Sequence, residues 1–358
     1  MNKVSKYLLL LFLMISNLTL AQNTKASEIY HYSGRIEKLY NGKVKLIGSA
    51  SSVSFQFSGD VCEVLLSVDT PNHYNYAALE LDGKYIGRLK VEAGEPKAYS
   101  ITATQKKQFH TLVIYKATEV SNGVIIFHEA KAERLQPLQQ QPKKKVEFIG
   151  ASVFCGQGID YMEINCGQEK YWYDQHNAYW TFPVITSKIM DYDFQISAVS
   201  GMGVYRNWNS EANEFNAMPS VYEYLTLNKF SPDLYDFGFK PDIIVIGLGN
   251  NDFYEGDGKT PRAEFNRDLF VSAYIKFMQM LSQHNPEASF VLITPFLEVP
   301  KLTIATECMN RIKASFPENR VDVFTFKPIK FHGCSNHPDI KDSKIMAKEF
   351  ADFMMNLN

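Results

Sequence analysis

The chain has 358 residues, 45% hydrophobic and 21% charged, with a formal net charge of −2. That suits a globular protein large enough for two domains. A mildly acidic chain whose one cationic run is Lys143-Lys144-Lys145 has no electrostatic footprint for nucleic acid.

Taken in order, Lys3 and Lys6 precede an apolar core from Leu8 to Ile15, and Thr19-Leu20-Ala21 offers small residues for cleavage. Residues 1–21 read as a signal peptide, too short to span a bilayer and with no cysteine at the cleavage point for a lipid anchor. The expectation is a periplasmic or secreted protein with no membrane insertion.

From Ser27 to about Leu135 the pattern has period two, as in Val53-Ser54-Phe55-Gln56-Phe57, and Asp82-Gly83 marks a hairpin between two β-rich runs. Many short strands predict an antiparallel β-sandwich over 22–135, of jelly-roll type. No titratable group stands out as catalytic there, so the segment reads as a packing or carbohydrate-contacting module. Residues 136–145, polar and with two prolines, read as a linker.

Over 146–358 the period changes. Strand-like runs at 146–149, 194–199, 243–246, 290–293 and 321–326 alternate with helical patterns. This predicts an α/β domain, a parallel sheet with both faces covered. One helix opens after Pro261, ends near Asn285-Pro286 and carries Phe265, Leu269, Ala273, Phe277 and Leu281 as its apolar stripe. The last starts at Pro338 and turns Ile345, Met346, Phe350, Phe353 and Met354 inward. A helix before Phe194 is interrupted by Pro183.

Four stretches lie just past these strands: Gly150-Ala151-Ser152, Ser200-Gly201-Met202-Gly203, Gly249-Asn250-Asn251-Asp252, and Gly333-Cys334-Ser335-Asn336-His337-Pro338. Carboxyl ends of parallel strands meet along one edge of a sheet. That edge would gather a serine hydroxyl, a glycine amide, an asparagine amide and an imidazole, the set acyl transfer requires.

In order and spacing, these stretches resemble blocks one, two, three and five of the SGNH (GDSL-type) hydrolases. With the preceding sandwich and the Gly-Cys-x-x-His-Pro ending, they are similar to carbohydrate esterase family two, secreted two-domain enzymes that deacetylate plant polysaccharides. The resemblance implies an SGNH-type three-layer α/β sandwich. It makes Ser152 the nucleophile and His337 its base. The oxyanion hole would comprise the amides of Ser152 and Gly201 and the side chain of Asn251, with Gly203 a weaker donor candidate. The implied partner is an acetylated plant polysaccharide or oligosaccharide, with no metal or organic cofactor.

Two departures stand out: Ala151 replaces the block-one aspartate, and Cys334 and Ser335 stand where an aspartate would orient the imidazole. A main-chain carbonyl orienting His337, in a Ser–His dyad, is the expected substitute. Asp252 and Asp339 are alternatives, although Asp339 is more simply explained by the helix dipole. A catalytically degenerate carbohydrate-binding protein, and another SGNH esterase or acyltransferase, are the rival readings.

Five cysteines (Cys62, Cys155, Cys166, Cys308, Cys334) are too few and too unevenly spaced for a disulfide scaffold or zinc site. Cys155 and Cys334 should be neighbours, either bridged or packed as thiols. Among Trp172, Tyr173, Trp180, Tyr205 and Trp208, core packing is the default, and Trp208 is the candidate for stacking on a sugar. His332 reads as a solvent-facing loop residue. The segment Glu255-Gly256-Asp257-Gly258 lacks the spacing of a calcium loop. The sequence assigns no oligomeric state.

Overall fold

Alternation along the N-terminal strands sends one side chain in two to a shared interior. In strand β4 (Ser52–Ser58), Val53, Phe55 and Phe57 are completely buried. A computed structural model describes residues 29–69, 73–139, 141–210, 216–259, 262–316 and 321–357. The leader read over 1–21 lies outside the described residues, as does Pro261.

Two antiparallel sheets enclose that interior. One orders β1 (His31–Ser33), β4, β9 (His110–Lys116), β6 (Tyr74–Leu81) and β7 (Lys84–Glu92), with β11 (Arg134–Gln136) added beside β4. The other orders β2 (Ile36–Lys38), β3 (Val44–Leu46), β10 (Val124–Lys131), β5 (Val61–Asp69) and β8 (Lys97–Thr102). Both contribute to one apolar core, Phe55, Leu112 and Ile114 from the first and Val64, Leu66 and Phe127 from the second. The hairpin expected at Asp82-Gly83 joins β6 to β7, with φ of 53° and 77° at its two turn residues. Positive φ at both positions is what a tight hairpin turn matching strand twist needs.

Strand β6 departs from simple alternation because both of its faces are covered. Ala77, Leu79 and Leu81 face the sandwich core, whereas Tyr74, Tyr76 and Ala78 pack against Tyr173, Ala178 and Tyr179 of the second half. The sandwich thus shares an apolar interface with the C-terminal half.

Five parallel strands form the third sheet: β12 (Lys145–Gly150), β13 (Asp193–Ala198), β14 (Ile243–Ile246), β15 (Ser289–Ile293) and β16 (Val321–Phe324), in the order β13-β12-β14-β15-β16. Each lies within two residues of its expected position. Short helices follow β12 and β14, namely α1 (Ser152–Cys155) and α4 (Asn250–Phe253), and α3 (Met218–Val221) lies between them in the chain. Ile244, Ile246 and Leu292 face α5 (Arg267–His284) and α6 (Lys301–Ala314). Val146, Phe148 and Val245 face α2 (Phe182–Met190) and α7 (Ile340–Met355). These three layers bury both faces, so these strands read as nearly unbroken apolar runs.

The helices correct several expectations. Pro183 lies in the first turn of α2, where its missing N–H costs nothing, and does not interrupt it. Helix α5 starts at Arg267, where Asn266 accepts hydrogen bonds from the Asp268 and Leu269 amides, both 3.0 Å. Its buried stripe is Phe270, Tyr274, Phe277, Met278 and Leu281, with Leu269 49% exposed. A strict interval of four drifts around a helix of 3.6 residues per turn, so the stripe mixes threes and fours. Helix α7 begins two residues after Pro338, because Asp339 and Asp342 form a reciprocal capping box. Met346, Phe350 and Met354 are buried as expected, whereas Ile345 is exposed.

Buried cations cross between the halves, Arg88 to the carbonyls of Asp174 and His176 and Arg35 to the parallel sheet. Arg35, fully buried, donates from Nε to Ser197 Oγ (2.9 Å), from Nη1 to Tyr224 O (2.9 Å) and from Nη2 to Tyr222 O (3.0 Å). Its guanidinium lies 4.1 Å from the centre of the Tyr235 ring. Glu147 in β12 accepts from the same Ser197 hydroxyl (2.6 Å) and from Tyr222 Oη (2.8 Å), so both charges join one hydrogen-bonded network.

Candidate active site

In a sheet of this order the loops leaving the first and third strands diverge, and the crevice between them is where such folds bind ligands. Here those are the loops after β12 and β14. Ser152 opens α1 directly after β12, and Asn251 sits in α4 after β14. Gly150 is required beneath the serine: a Cβ there would lie 2.5 Å from the Phe154 ring, which fills the gap between the strand ends.

The imidazole arrives from far along the chain. His337 Nε2 stands 2.8 Å from Ser152 Oγ, across 185 residues of sequence. On the opposite side of the ring, Nδ1 stands 2.8 Å from the main-chain carbonyl of Ser335. A carbonyl only accepts, so Nδ1 carries the ring proton and Nε2 is left to accept from the serine hydroxyl. Ser335 and Asn336 both hold left-handed conformations (φ 54° and 57°), which turn that carbonyl back toward the ring. Burial outweighs the two carbonyls nearby and lowers the His337 pKa below its ordinary value.

The histidine loop is braced against the serine loop. The Cys334 amide donates to Gly158 O (2.9 Å), and a Cβ on Gly158 would strike Cys334 O at 2.4 Å, so glycine permits the approach. A disulfide joins Cys334 to Cys166. The alternatives weighed for Cys155 and Cys334, a bridge or packed thiols, are both corrected. Cys155 faces down into the core beside Ser49, Glu119 and Ser200, where burial and the Glu119 charge push its thiol well above the usual range.

Ser152, Gly201, Asn251 and His337 line one cavity of about 920 Å³. Gly201 takes a left-handed φ of 80°. Among the described residues, neither the Ser152 nor the Gly201 amide donates to a main-chain carbonyl outside regular structure. Asn251 Nδ2 donates to Met202 O (2.8 Å), which uses one of its two protons and fixes the side chain's direction. Gly203 does a different job: its amide donates to Asn207 Oδ1 (3.0 Å), and a Cβ there would lie 2.1 Å from Arg206 O.

Neither alternative acid orients His337. Asp252, fully buried, accepts from the amides of Val204 (3.0 Å), Tyr205 (2.9 Å) and Arg206 (3.2 Å), pinning the loop after β13. Asp339 caps α7, accepting from the Asp342 amide at 2.7 Å. His332, Asp339 and Asp342 converge within 4.8 Å, but the capping box and the 2.9 Å contact between His332 Nδ1 and Asp342 Oδ1 account for that cluster. His332 itself is exposed, as expected.

The aromatic candidates divide. Tyr173 and Tyr205 are buried, and Trp180 packs on Tyr85 and Tyr179. Trp208 is half exposed on the cavity wall, 5.5 Å from Tyr254. Trp172 lines the same cavity at 47% exposure, backed by the buried ring of His176 at 4.7 Å. Sequence reasoning took Trp172 as core, and also missed Glu119 and Cys166. Glu119 belongs to the sandwich, and no motif or periodicity marked it.

A doubly covered parallel sheet with a serine and a histidine meeting over its carboxyl edge has the architecture expected of an SGNH-type three-layer fold. Residues 32–142 match the family described as carbohydrate esterase 2 N-terminal. An acetylxylan esterase / glucomannan deacetylase of Cellvibrio japonicus (strain Ueda107) is 30% identical over 211 residues, 57% of this chain and 57% of that protein. The matched segment thus spans little more than half of that relative. A family two carbohydrate esterase structure from Cellvibrio japonicus superimposes with a TM-score of 0.80 at 20% identity, covering 91% of this chain and 94% of the other. One from Clostridium thermocellum, in complex with cellohexaose, gives a TM-score of 0.77 at 23% identity, covering 91% and 98%. The chain therefore resembles the family-two carbohydrate esterases, in sequence over its N-terminal part and in fold over most of its length.

Proposed function

We propose that this protein is a carbohydrate esterase that removes O-acetyl groups from hemicellulose such as xylan or glucomannan, outside the cytoplasm. The observation that carries the reading is the 2.8 Å approach of His337 Nε2 to Ser152 Oγ while Nδ1 is held by a carbonyl. Ser152 attacks the acetyl carbonyl and its proton passes to Nε2. The oxyanion is received by the amides of Ser152 and Gly201 and by Asn251 Nδ2. His337 returns the proton to the departing sugar hydroxyl, and a water activated by the same imidazole releases acetate from the acyl-serine. None of these steps calls on a metal or organic cofactor.

Acetylated glycan as substrate is supported by the names of the relatives and by the exposed Trp172 and Trp208 faces beside the serine. Export is supported by the leader pattern over 1–21 and by the Cys166–Cys334 disulfide, which belongs in an oxidising compartment. No helix among the described residues is long and apolar enough to cross a membrane. We read 22–136 as the sandwich, 137–144 as the linker and 145–358 as the catalytic domain, one residue inside the expected linker at each end because Gln136 pairs with Gln56 in β11 and Lys145 opens β12 beside Asp193.

Acetate release from acetylated xylan and glucomannan, alongside turnover of an aryl acetate, tests the reading. Ser152→Ala is expected to lower kcat by about three decades or more while the fold persists. Full activity in that variant, or no turnover by the wild-type protein, would sink the esterase reading. Binding of glycan without turnover would point to the carbohydrate-binding alternative.

A further inference from the structure

We propose that Glu119, carried by the N-terminal sandwich, is a positioning residue of the ester-hydrolysis site: its carboxylate holds Ser200 and thereby aims the Gly201 amide at the oxyanion. The inference rests on the preceding reading of Gly201 as an oxyanion donor. Glu119 is 1% exposed, at the edge of the sandwich facing the loop after β13. Its Oε2 accepts from the Ser200 amide (3.0 Å) and also from the Ser200 hydroxyl. Its Oε1 accepts from the hydroxyl of Ser121. A buried carboxylate is tolerated only when its oxygens are met by donors, and here the Ser121 hydroxyl and the Cys155 thiol are joined by two donors from the residue immediately before Gly201.

Glu119 has a firm base from which to hold that loop. The Glu119 carbonyl accepts from Lys116 Nζ (2.6 Å), which also donates to the Thr118 carbonyl (3.0 Å) and hydroxyl (3.1 Å). On the far side, the Gly201 carbonyl accepts from the Trp208 amide at 2.7 Å. The Gly201 amide is thus gripped from both sides, with the left-handed φ of 80° between the two restraints. An oxyanion donor contributes only when its N–H points to where charge develops, and displacements near 1 Å can cost about a hundredfold in rate. The sandwich would then complete the catalytic apparatus as well as pack beside it.

Steady-state hydrolysis of p-nitrophenyl acetate by the full chain tests this, with thermal unfolding of each variant in parallel. Glu119→Ala is expected to lower kcat about a hundredfold with KM little changed, because the lost interaction acts on the transition state. The acid limb of the pH profile should not move, since His337 and its carbonyl are untouched. Glu119→Gln keeps one accepting oxygen and should recover about tenfold of the loss. Should Glu119→Ala fail to fold, Ser121→Ala at an exposed position provides the readout, with an expected drop in kcat of about threefold. A folded Glu119→Ala within threefold of wild-type kcat would overturn the proposal. So would a loss carried in KM or in a shifted acid limb, or, with Glu119→Ala unfolded, wild-type kcat in Ser121→Ala. If Ser152→Ala is inactive while Glu119→Ala is not, the esterase reading stands and the role of Glu119 falls. If Ser152→Ala stays fully active, it is the esterase reading that fails.

Discussion

At the scale of residues, what orients His337 decides its acid–base behaviour. An aspartate would favour the imidazolium and raise the ring's pKa, whereas a neutral carbonyl does so far less. Burial therefore prevails, and the His337 pKa is lowered. The base must be neutral to accept the Ser152 proton, and protonation removes it as pH falls. The lowered value puts that loss on the acid side, so kcat/KM should decline with an acid limb centred below about 6.5, the ordinary imidazole value. A pH–rate profile on an aryl acetate checks this, and a limb above neutrality would contradict the carbonyl-held dyad. Trp208 makes a separate prediction. Stacking on a sugar ring matters only to substrates that carry one, so Trp208→Ala should lower kcat/KM on acetylated xylan roughly three- to tenfold. Activity on the aryl acetate should be unchanged.

At the scale of elements, the site is a convergence of loops, each needing its own restraint. The loop after β13 is pinned by Asp252 through the amides of Val204, Tyr205 and Arg206. The loop after β16 is restrained by two consecutive left-handed residues, the Gly158 contact and the Cys166–Cys334 bridge. Ala151 removes a carboxylate from the serine loop, yet Ser152 still meets His337, because packing of Phe154 over Gly150 sets that loop's direction. The disulfide spans a sequence separation of 168 residues and ends three residues before His337. Cys166→Ser should therefore cost about 2–4 kcal/mol of stability, measured by urea unfolding. It should also lower kcat, because Ser335 then holds its carbonyl less firmly. Retention of both stability and rate would mean the bridge is dispensable to the loop.

At the scale of the whole molecule, the halves are coupled by polar groups as well as by the apolar face of β6. Arg35 reaches out of the sandwich to Ser197, Tyr222 and Tyr224, and Glu147 draws on Ser197 and Tyr222 from within the sheet. Removing the cation leaves several buried acceptors and a carboxylate without their partner charge. Arg35→Ala is expected to lower stability by about 3 kcal/mol or more. Weakening of the junction at Arg35 should also bring the unfolding of the two halves apart. A single unfolding transition at wild-type stability would show that the Arg35 network is dispensable to the coupling.

Sequence alone determined the features that repeat or that local chemistry compels. The period-two strands, the Asp82-Gly83 turn, the five apolar runs of the parallel sheet and the Gly-x-Ser and His-Pro stretches were all legible. Their signal sits within a few consecutive residues, and the carboxyl edge of a parallel sheet gathers such stretches by geometry alone. Tertiary structure decided which of several candidates actually meet. Ser335 supplies the carbonyl because two residues adopt left-handed backbone, which nothing in Cys334-Ser335-Asn336 announces. Cys334 pairs with Cys166 and not Cys155 because the helix turn after Ser152 points Cys155 inward. Trp172 is open and Tyr173 closed, though they are neighbours in one loop. Glu119 reaches Ser200 only because two separately coded domains dock. Contacts between distant segments depend on the packing of every element between them, and no local pattern carries that information.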